Sequence, residues 1–200
     1  MVCIGRRPNT QDLGLEHIGV SCDAKGWIKA DKGLQAAPKV YALGDVLGPE
    51  RVMLAHAASY EGLVAAENAL GGTQIMDYGH IPGAIFTAPE VACAGLSEDQ
   101  AVAAGYEVQT TSVLFRTLGK AQASGELAGQ AKLVVNAANN VLLGVHLAGP
   151  HVTELIAQGA MALRLGCTVH NLAQTVHPHP TLSEIMFEAA NVLAGRAVHG

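Results

Sequence analysis

The chain has 200 residues, of which 50% are hydrophobic and 14% are charged, and its net charge is -5. This apolar content excludes a disordered chain, and the lack of a basic field makes nucleic acid a poor candidate partner. No apolar run approaches the ~18 residues of a membrane span, and residues 1–4 do not form a secretory segment, so we expect a cytoplasmic protein without a membrane partner.

Two elements are predicted in the first part of the chain. The apolar run over residues 40–43, closed by Gly44 and Asp45, predicts a buried strand that ends in a polar turn. Apolar residues recur at near-helical spacing over residues 54–70 and are followed by two glycines, which predicts a helix.

Polar residues and glycine become frequent over residues 73–80, which indicates a linker between two domains, residues 1–77 and residues 78–200. Strands followed by helices, with an antiparallel hairpin, predict an α+β second domain. Its predicted elements, in chain order, are a strand over 84–86, a helix capped by Ser97 and Gln100 and closed by Gly105, an extended segment over 108–115, strands over 132–135 and 141–147 around a turn at 137–140, a helix over 153–165, and a final helix from Thr181 to before Gly195.

The strongest candidate site is the segment from His177 to Glu184. Pro178 and Pro180 fix their own φ angles and push each preceding residue into an extended conformation, so both histidines stand on a rigid arm. Glu184 falls in the first turn of the predicted final helix, within reach of that arm. A carboxylate that accepts from Nδ1–H of His179 would fix the tautomer, leave Nε2 as a base and stabilise the imidazolium.

Two other interpretations of this segment stay open. Residues 181–184 also form a capping box, with Thr181 as N-cap and Glu184 at the third helical position. A metal site would use His177 and His179 as paired ligands, but no third ligand is indicated. Two histidines within apolar runs are interpreted as hydrogen-bonded core residues: His56 and His146.

A second candidate is Asp45, at the carboxyl end of the predicted strand, where α/β sheets bind ligands. An ionised carboxylate there accepts hydrogen bonds from vicinal hydroxyl groups, and a helix opening near Met53 would aim backbone N–H groups at negative charge. An ordinary strand followed by a Gly-Asp turn explains the same residues equally well.

Several short motifs occur along the chain in a specific order and spacing. They cover residues 5–10, 13–16, 19–20, 41–45, 53–56, 61–62, 81–83, 87–92, 95–97, 144–146, 149–150 and 179–184. Together they resemble the C-terminal half of the flavin-dependent pyridine nucleotide-disulphide oxidoreductases, most closely the members that oxidise dihydrolipoyl groups. The resemblance implies FAD and NAD as cofactors. The cofactor-binding residues that it implies are Gly5, Asp45, Met53, Leu54, Ala55 and His56.

The resemblance also implies a role for the second domain. Residues 78–200 look like the interface domain through which this family forms a homodimer, and the low charge of the chain agrees with a covered apolar surface. By resemblance, His179 is the base toward a dithiol in the partner subunit's active site, and Glu184 orients it. The flavin carries the redox chemistry between NAD and the disulphide, and the protein partner is a lipoyl domain of a 2-oxo acid dehydrogenase complex.

The sequence departs from the family pattern in two ways. The lysine that often follows the family's LAH motif is replaced by Ala57, which changes the flavin environment. The chain also has no GxGxxG loop and no CxxxxC pair, so we expect a C-terminal portion that is inactive alone, preceded by the tail of an FAD-binding α/β domain. The alternatives are a non-catalytic dimerisation module and a piece of a sibling such as glutathione reductase. The cysteines are interpreted as reduced, partly buried thiols: Cys3, Cys22, Cys93 and Cys167.

Overall fold

The structure is a computed structural model that describes residues 2–198. The chain divides into two compact units, Met1–Tyr78 and Gly79–Gly200. Within residues 2–198, no helix is long and apolar enough to cross a bilayer.

The first unit combines short strands, loops and one long helix. Strands β1 (Gln35–Ala37) and β2 (Val40–Tyr41) pair in antiparallel orientation. Helix α1 spans Ala55–Ala69, which agrees with the predicted helix to one residue at each end. Two 3₁₀ turns cover Leu15–Ile18 and Gly44–Leu47.

The prediction of a buried strand over residues 40–43 is wrong. The strand contains only Val40–Tyr41, both of which are half-buried, and Leu43 is exposed. Among the described residues, β2 has β1 as its single neighbour, so no flanking strands cover it. The polar turn at Gly44 and Asp45 nevertheless follows the strand closely.

The second unit contains a five-stranded antiparallel sheet with the strand order β3-β4-β7-β6-β5, which confirms the predicted α+β class. Strands β6 and β7 form the predicted hairpin. Asn140 in its turn adopts a positive φ of 59°, a conformation that asparagine tolerates better than most residues. The strands are β3 (Gly83–Ile85), β4 (Glu90–Gly95), β5 (Val108–Leu114), β6 (Gln130–Asn136) and β7 (Leu142–Gly149).

Helices cover one side of this sheet and form the core with it. Helix α4 packs on β4 and β7, and α6 packs on β5 and β6. Phe115, Leu133, Val145 and Ile185 are completely buried in this layer. The helices are α2 (Glu98–Ala103), α3 (Gly119–Ser124), α4 (Val152–Arg164), α5 (Val169–Gln174) and α6 (Glu184–Leu193), and Phe115–Thr117 forms a 3₁₀ turn.

Two helix starts show how local side chains set an N-terminus. Ser97 and Gln100 form the predicted capping box, with bonds of 3.2 Å and 2.9 Å between side chain and backbone. The final helix begins at Glu184, so the predicted start at Thr181 is wrong. The hydroxyl of Thr181 donates to the Pro178 carbonyl at 2.7 Å instead of accepting from the helix.

The predicted environments of the histidines and cysteines are only partly right. His146 is half-buried and its Nε2 lies 3.0 Å from the Leu96 carbonyl oxygen, as a hydrogen-bonded core histidine would. His56 is exposed, because it lies on the side of α1 away from the buried residues. Cys3 and Cys93 are exposed rather than partly buried.

Candidate functional site

The loop between α5 and α6 carries His179, and the first residue of α6 is Glu184. His179 Nδ1 lies 2.9 Å from Glu184 Oε1. A carboxylate oxygen only accepts, so Nδ1 carries the hydrogen and Nε2 is the basic nitrogen of the neutral ring. The imidazole is 65% exposed and the carboxylate side chain only 9%, so a buried acid orients an accessible base.

The backbone holds the Glu184 carboxylate through its second oxygen. Oε2 accepts from the backbone N–H of Thr181 at 2.8 Å. The Thr181 hydroxyl in turn contacts Ser183 Oγ at 2.8 Å and donates to the Pro178 carbonyl. Glu184 therefore pairs with His179 and accepts from the Thr181 N–H at the same time. The capping box predicted over residues 181–184 is wrong, because Ser183 is the N-cap of α6 and no side chain within residues 2–198 caps this helix.

His177 makes different contacts from His179. Its Nδ1–H donates to the Thr175 carbonyl at 2.8 Å, so Nε2 accepts from Gln158 Nε2 at 2.7 Å. Its ring also lies 6.0 Å from the ring of Phe187. Nε2 thus anchors the loop to α4, and Nδ1 holds it to the end of α5; sequence reasoning foresaw neither contact. Within residues 2–198, no group of three or more His, Cys, Asp or Glu side chains could hold a metal ion.

The start of α3 approaches the His179 ring. A Cβ atom built on Gly119 would lie 3.8 Å from His179 Cε1. The backbone of α3 therefore forms one wall beside the imidazole, and no signal in the sequence linked Gly119 to the histidine.

The first unit brings two of the predicted cofactor residues together. Arg6 Nη1 lies 2.9 Å from Asp45 Oδ2 and donates to the Met53 carbonyl at 3.2 Å. Both partners of the ion pair are about half exposed, so the pair itself adds little stability. Arg6, Asp45 and Met53 line a cleft of about 460 Å³. Its other lining residues are Arg7, Pro8, Asn9, Trp27 and Val46.

The other predicted cofactor residues do not line this cleft. Gly5 adjoins Arg6 in the chain and is exposed. Leu54 is the N-cap of α1, and Ala55 and His56 form its first turn. That turn has no side-chain cap and no acidic residue, so its backbone N–H groups present the positive end of the helix dipole.

A buried polar network lies beneath Asp45. Glu61 is fully buried, and its Oε2 accepts from the Gly44 N–H at 2.6 Å while its Oε1 accepts from the Tyr78 hydroxyl at 2.5 Å. Arg51 Nη1 donates to the same hydroxyl at 3.1 Å. Burial, followed by the hydrogen bond to Glu61, raises the pKa of Tyr78 above its usual value.

Sequence reasoning missed this network, although one signal pointed to it. Glu61 lies four residues after Ala57 and three before Val64, on the face of α1 that is buried. A carboxylate in that position requires hydrogen-bond donors.

A third polar contact lies in the second unit, at the edge of a cleft of about 570 Å³. Glu90 Oε2 accepts from the Thr153 hydroxyl at 2.7 Å and from the Thr153 backbone N–H at 3.0 Å. These two hydrogen bonds lower the pKa of Glu90. The contact joins the start of β4 to the first turn of α4, and no motif in the sequence indicated it.

Two family models match the chain. Residues 81–190 match "Pyridine nucleotide-disulphide oxidoreductase, dimerisation domain", and residues 1–62 match "Pyridine nucleotide-disulphide oxidoreductase". One match falls in each of the two units.

Relatives of known family match the chain over its whole length. It is 46% identical to a dihydrolipoyl dehydrogenase of Thermus scotoductus and 41% identical to one of Geobacillus stearothermophilus, each match covering all of this chain. These matches span 43% and 42% of the relatives' length. A crystal structure of LpdA from Mycobacterium tuberculosis matches 95% of this chain and 41% of its own, with a TM-score of 0.88 and 32% identity.

Proposed function

Since the chain belongs to the pyridine nucleotide-disulphide oxidoreductases, we propose that it is the C-terminal part of a dihydrolipoyl dehydrogenase, a flavoenzyme that oxidises protein-bound dihydrolipoyl groups with NAD. The names of its relatives support this substrate class. The observation that carries the proposal is the 2.9 Å contact between His179 Nδ1 and Glu184 Oε1.

His179 is proposed as the catalytic base. Its Nε2 accepts a proton from a thiol, which leaves a thiolate and an imidazolium ring. The buried Glu184 carboxylate stabilises that positive charge and keeps the ring in place, because its second oxygen is held by the Thr181 N–H. His177, with both nitrogens engaged in anchoring contacts, keeps the loop on α4.

The first unit is proposed to contribute to an FAD site. The residues fit the group: Asp45 offers a carboxylate to sugar-like hydroxyl groups, and the uncapped start of α1 offers N–H donors to a negative edge. Met53, Leu54, Ala55 and His56 would line the flavin, and Gly5 would belong to the NAD site. When bound, FAD supplies the electron carrier between the dithiol and NAD.

The second unit is proposed to form a homodimer in which His179 and Glu184 serve the partner subunit's active site. The match of residues 81–190 to a dimerisation domain supports this assembly. Exposed apolar side chains on and near the helices also support it, among them Met161, Leu165 and Val176. The proposed protein partner is a lipoyl domain of a 2-oxo acid dehydrogenase complex.

The proposal is tested with His179→Ala in the complete enzyme. We expect oxidation of dihydrolipoamide to slow about 10²- to 10⁴-fold, the usual contribution of a positioned base, while flavin absorbance is retained. His170→Ala, which changes an exposed histidine on α5, is the matched control. Unimpaired turnover of His179→Ala would remove His179 from the mechanism, and preference for glutathione disulphide over lipoamide would favour the sibling reductase.

A second candidate function is a non-catalytic dimerisation module. The hydrogen bond from Thr181 N–H to Glu184 Oε2 favours it, because this contact serves the backbone whether or not His179 acts as a base. Purified 200-residue chain that lacks flavin absorbance and is dimeric by light scattering would support the module for this polypeptide. Stoichiometric FAD on that chain would contradict it.

A further inference from the structure

Glu61 is a fully buried carboxylate in the middle of α1. A buried negative charge is retained only where hydrogen-bond donors replace the lost water, and its two oxygens have one close donor each. Because these donors come from two distant segments of the chain, the carboxylate connects the turn that bears Asp45 to the end of the first unit at Tyr78.

The donor on one side is the Gly44 backbone N–H, at 2.6 Å from Oε2. Gly44 has a φ of +77°, in the left-handed region, and it opens the 3₁₀ turn that contains Asp45. Because β2 ends at Tyr41, this N–H lies beyond the β1–β2 pairing within residues 2–198. Glu61 therefore supplies the acceptor that the backbone needs at the residue before Asp45.

The donor on the other side orients the carboxylate. The Tyr78 hydroxyl donates to Oε1 and accepts from Arg51 Nη1. Arg51 Nη2 donates to the carbonyls of Ala30 and Asp31, both at 3.2 Å. The main chain thereby fixes the guanidinium of Arg51. Its positive charge offsets the negative charge of Glu61, and the Tyr78 hydroxyl lies between the two groups.

We infer that Glu61 is a positioning residue for cofactor binding: by holding the Gly44 peptide, it presents the Asp45 carboxylate to the hydroxyl groups of a flavin's ribityl chain. This inference rests on the proposed function, in which Asp45 binds FAD. It adds that the affinity contributed by Asp45 depends on an acceptor 17 positions away in the chain.

The experiment is a double-mutant cycle on FAD affinity in the complete enzyme, with Asp45→Asn, Glu61→Met and the combination. Methionine has about the volume of glutamate but lacks both acceptor oxygens. The variant therefore keeps the packing of the Glu61 side chain and removes only its hydrogen bonds. With Asp45 present, we expect Glu61→Met to weaken FAD binding about 10-fold, the usual effect of losing a charged hydrogen bond. In the Asp45→Asn background we expect a change of less than about 2-fold, because coupled residues are non-additive.

Glu61→Gln provides rescue, because its amide oxygen still accepts from the Gly44 N–H, and FAD affinity should return to within about 3-fold of wild type. If Glu61→Met does not fold, Glu61→Leu, which also lacks both acceptor oxygens, replaces it in the cycle with the same comparison of backgrounds. If Glu61→Met weakens FAD binding by the same factor with Asp45 present and in the Asp45→Asn background, the inference is overturned, although Asp45 keeps its proposed role. No effect of Asp45→Asn alone overturns the proposed FAD role of Asp45 instead.

Discussion

The His179 and Asp45 sites are built in different ways. The first joins side chains five positions apart, on one loop and the helix that follows it. The second depends on contacts across 17 positions from Glu61 to Gly44 and 39 positions from Arg6 to Asp45. A local site is fixed by a short stretch of backbone, whereas a long-range site exists only while its unit is folded.

The difference affects how each site should fail. Changes at the local pair should alter the proposed proton transfer and leave folding almost intact, because His177 also anchors the loop. Changes in the long-range network should first lower the stability of the first unit. Four variants test this difference between local and long-range contacts.

The largest effect is expected from Glu184→Gln in the complete enzyme. Glutamine keeps an acceptor for the loop but cannot neutralise the imidazolium of His179, so the rate of dihydrolipoamide oxidation should fall about 10²-fold. Stopped-flow reduction of the flavin measures that rate. Glu107→Gln, at an exposed glutamate of the same unit, is the control. A rate within about twofold of wild type would show that the charge is dispensable.

Gly44→Ala should destabilise the first unit by about 1–2 kcal/mol, because a side chain is disfavoured at a φ of +77°. A Cβ there would also lie 3.4 Å from Ala58 Cβ. The single tryptophan, Trp27, lies in this unit, so its fluorescence in urea reports the change. Gly62→Ala is the control: it lies within α1 with no atom near the added Cβ and should stabilise by about 1 kcal/mol. Equal effects of the two variants would refute the special role of the turn.

Tyr78→Phe should cost about 1 kcal/mol, the net value of a typical hydrogen bond. The pKa of Tyr78 is raised above 10.0 in the folded state, so this stabilisation is complete below pH 10 and is lost as the pH rises through the folded pKa. The stability difference between wild type and variant should therefore shrink above pH 10. A difference that does not change between pH 8 and pH 11 would contradict this assignment.

The smallest effect is expected from Thr153→Val, which tests a long-range contact in the second unit. The pKa of Glu90 is lowered by the Thr153 hydroxyl and backbone N–H, so it should move back toward its ordinary value of 4.5 when the hydroxyl is removed. Because the folded pKa is depressed, the associated stability is present above pH 4.5 and is lost as the pH falls through the folded value. Carboxyl NMR titration measures this shift. An unchanged pKa of Glu90 would show that groups other than the Thr153 hydroxyl lower it.

Local sequence signals were sufficient to predict the contact made by the proline-containing arm that bears His179. Two prolines and a five-residue spacing predicted the contact between His179 and Glu184, and the Ser97 capping box predicted the start of α2. The same reasoning placed the final helix three residues early, because the hydroxyl of Thr181 found the Pro178 carbonyl as a competing acceptor. Local competition of this kind is hard to resolve from sequence.

Long-range contacts escaped prediction for a physical reason. Arg6 and Asp45 carry no pattern that relates them, since their pairing follows from how the intervening loops fold. Strand β4, with its alternation of alanine and small residues, and the six-residue helices α3 and α5 were also missed. Such short elements have weak propensity and are stabilised by packing in the tertiary structure.

The two oxygens of Glu184 have a consequence for the proposed proton transfer from a thiol to His179. One oxygen is held by the main chain before any substrate arrives, so the acid does not have to rotate when the ring becomes charged. Most of the dipolar rearrangement that would accompany such a charge in water is thereby completed during folding. The reorganisation energy of the step should be small, and its rate should respond weakly to solvent viscosity.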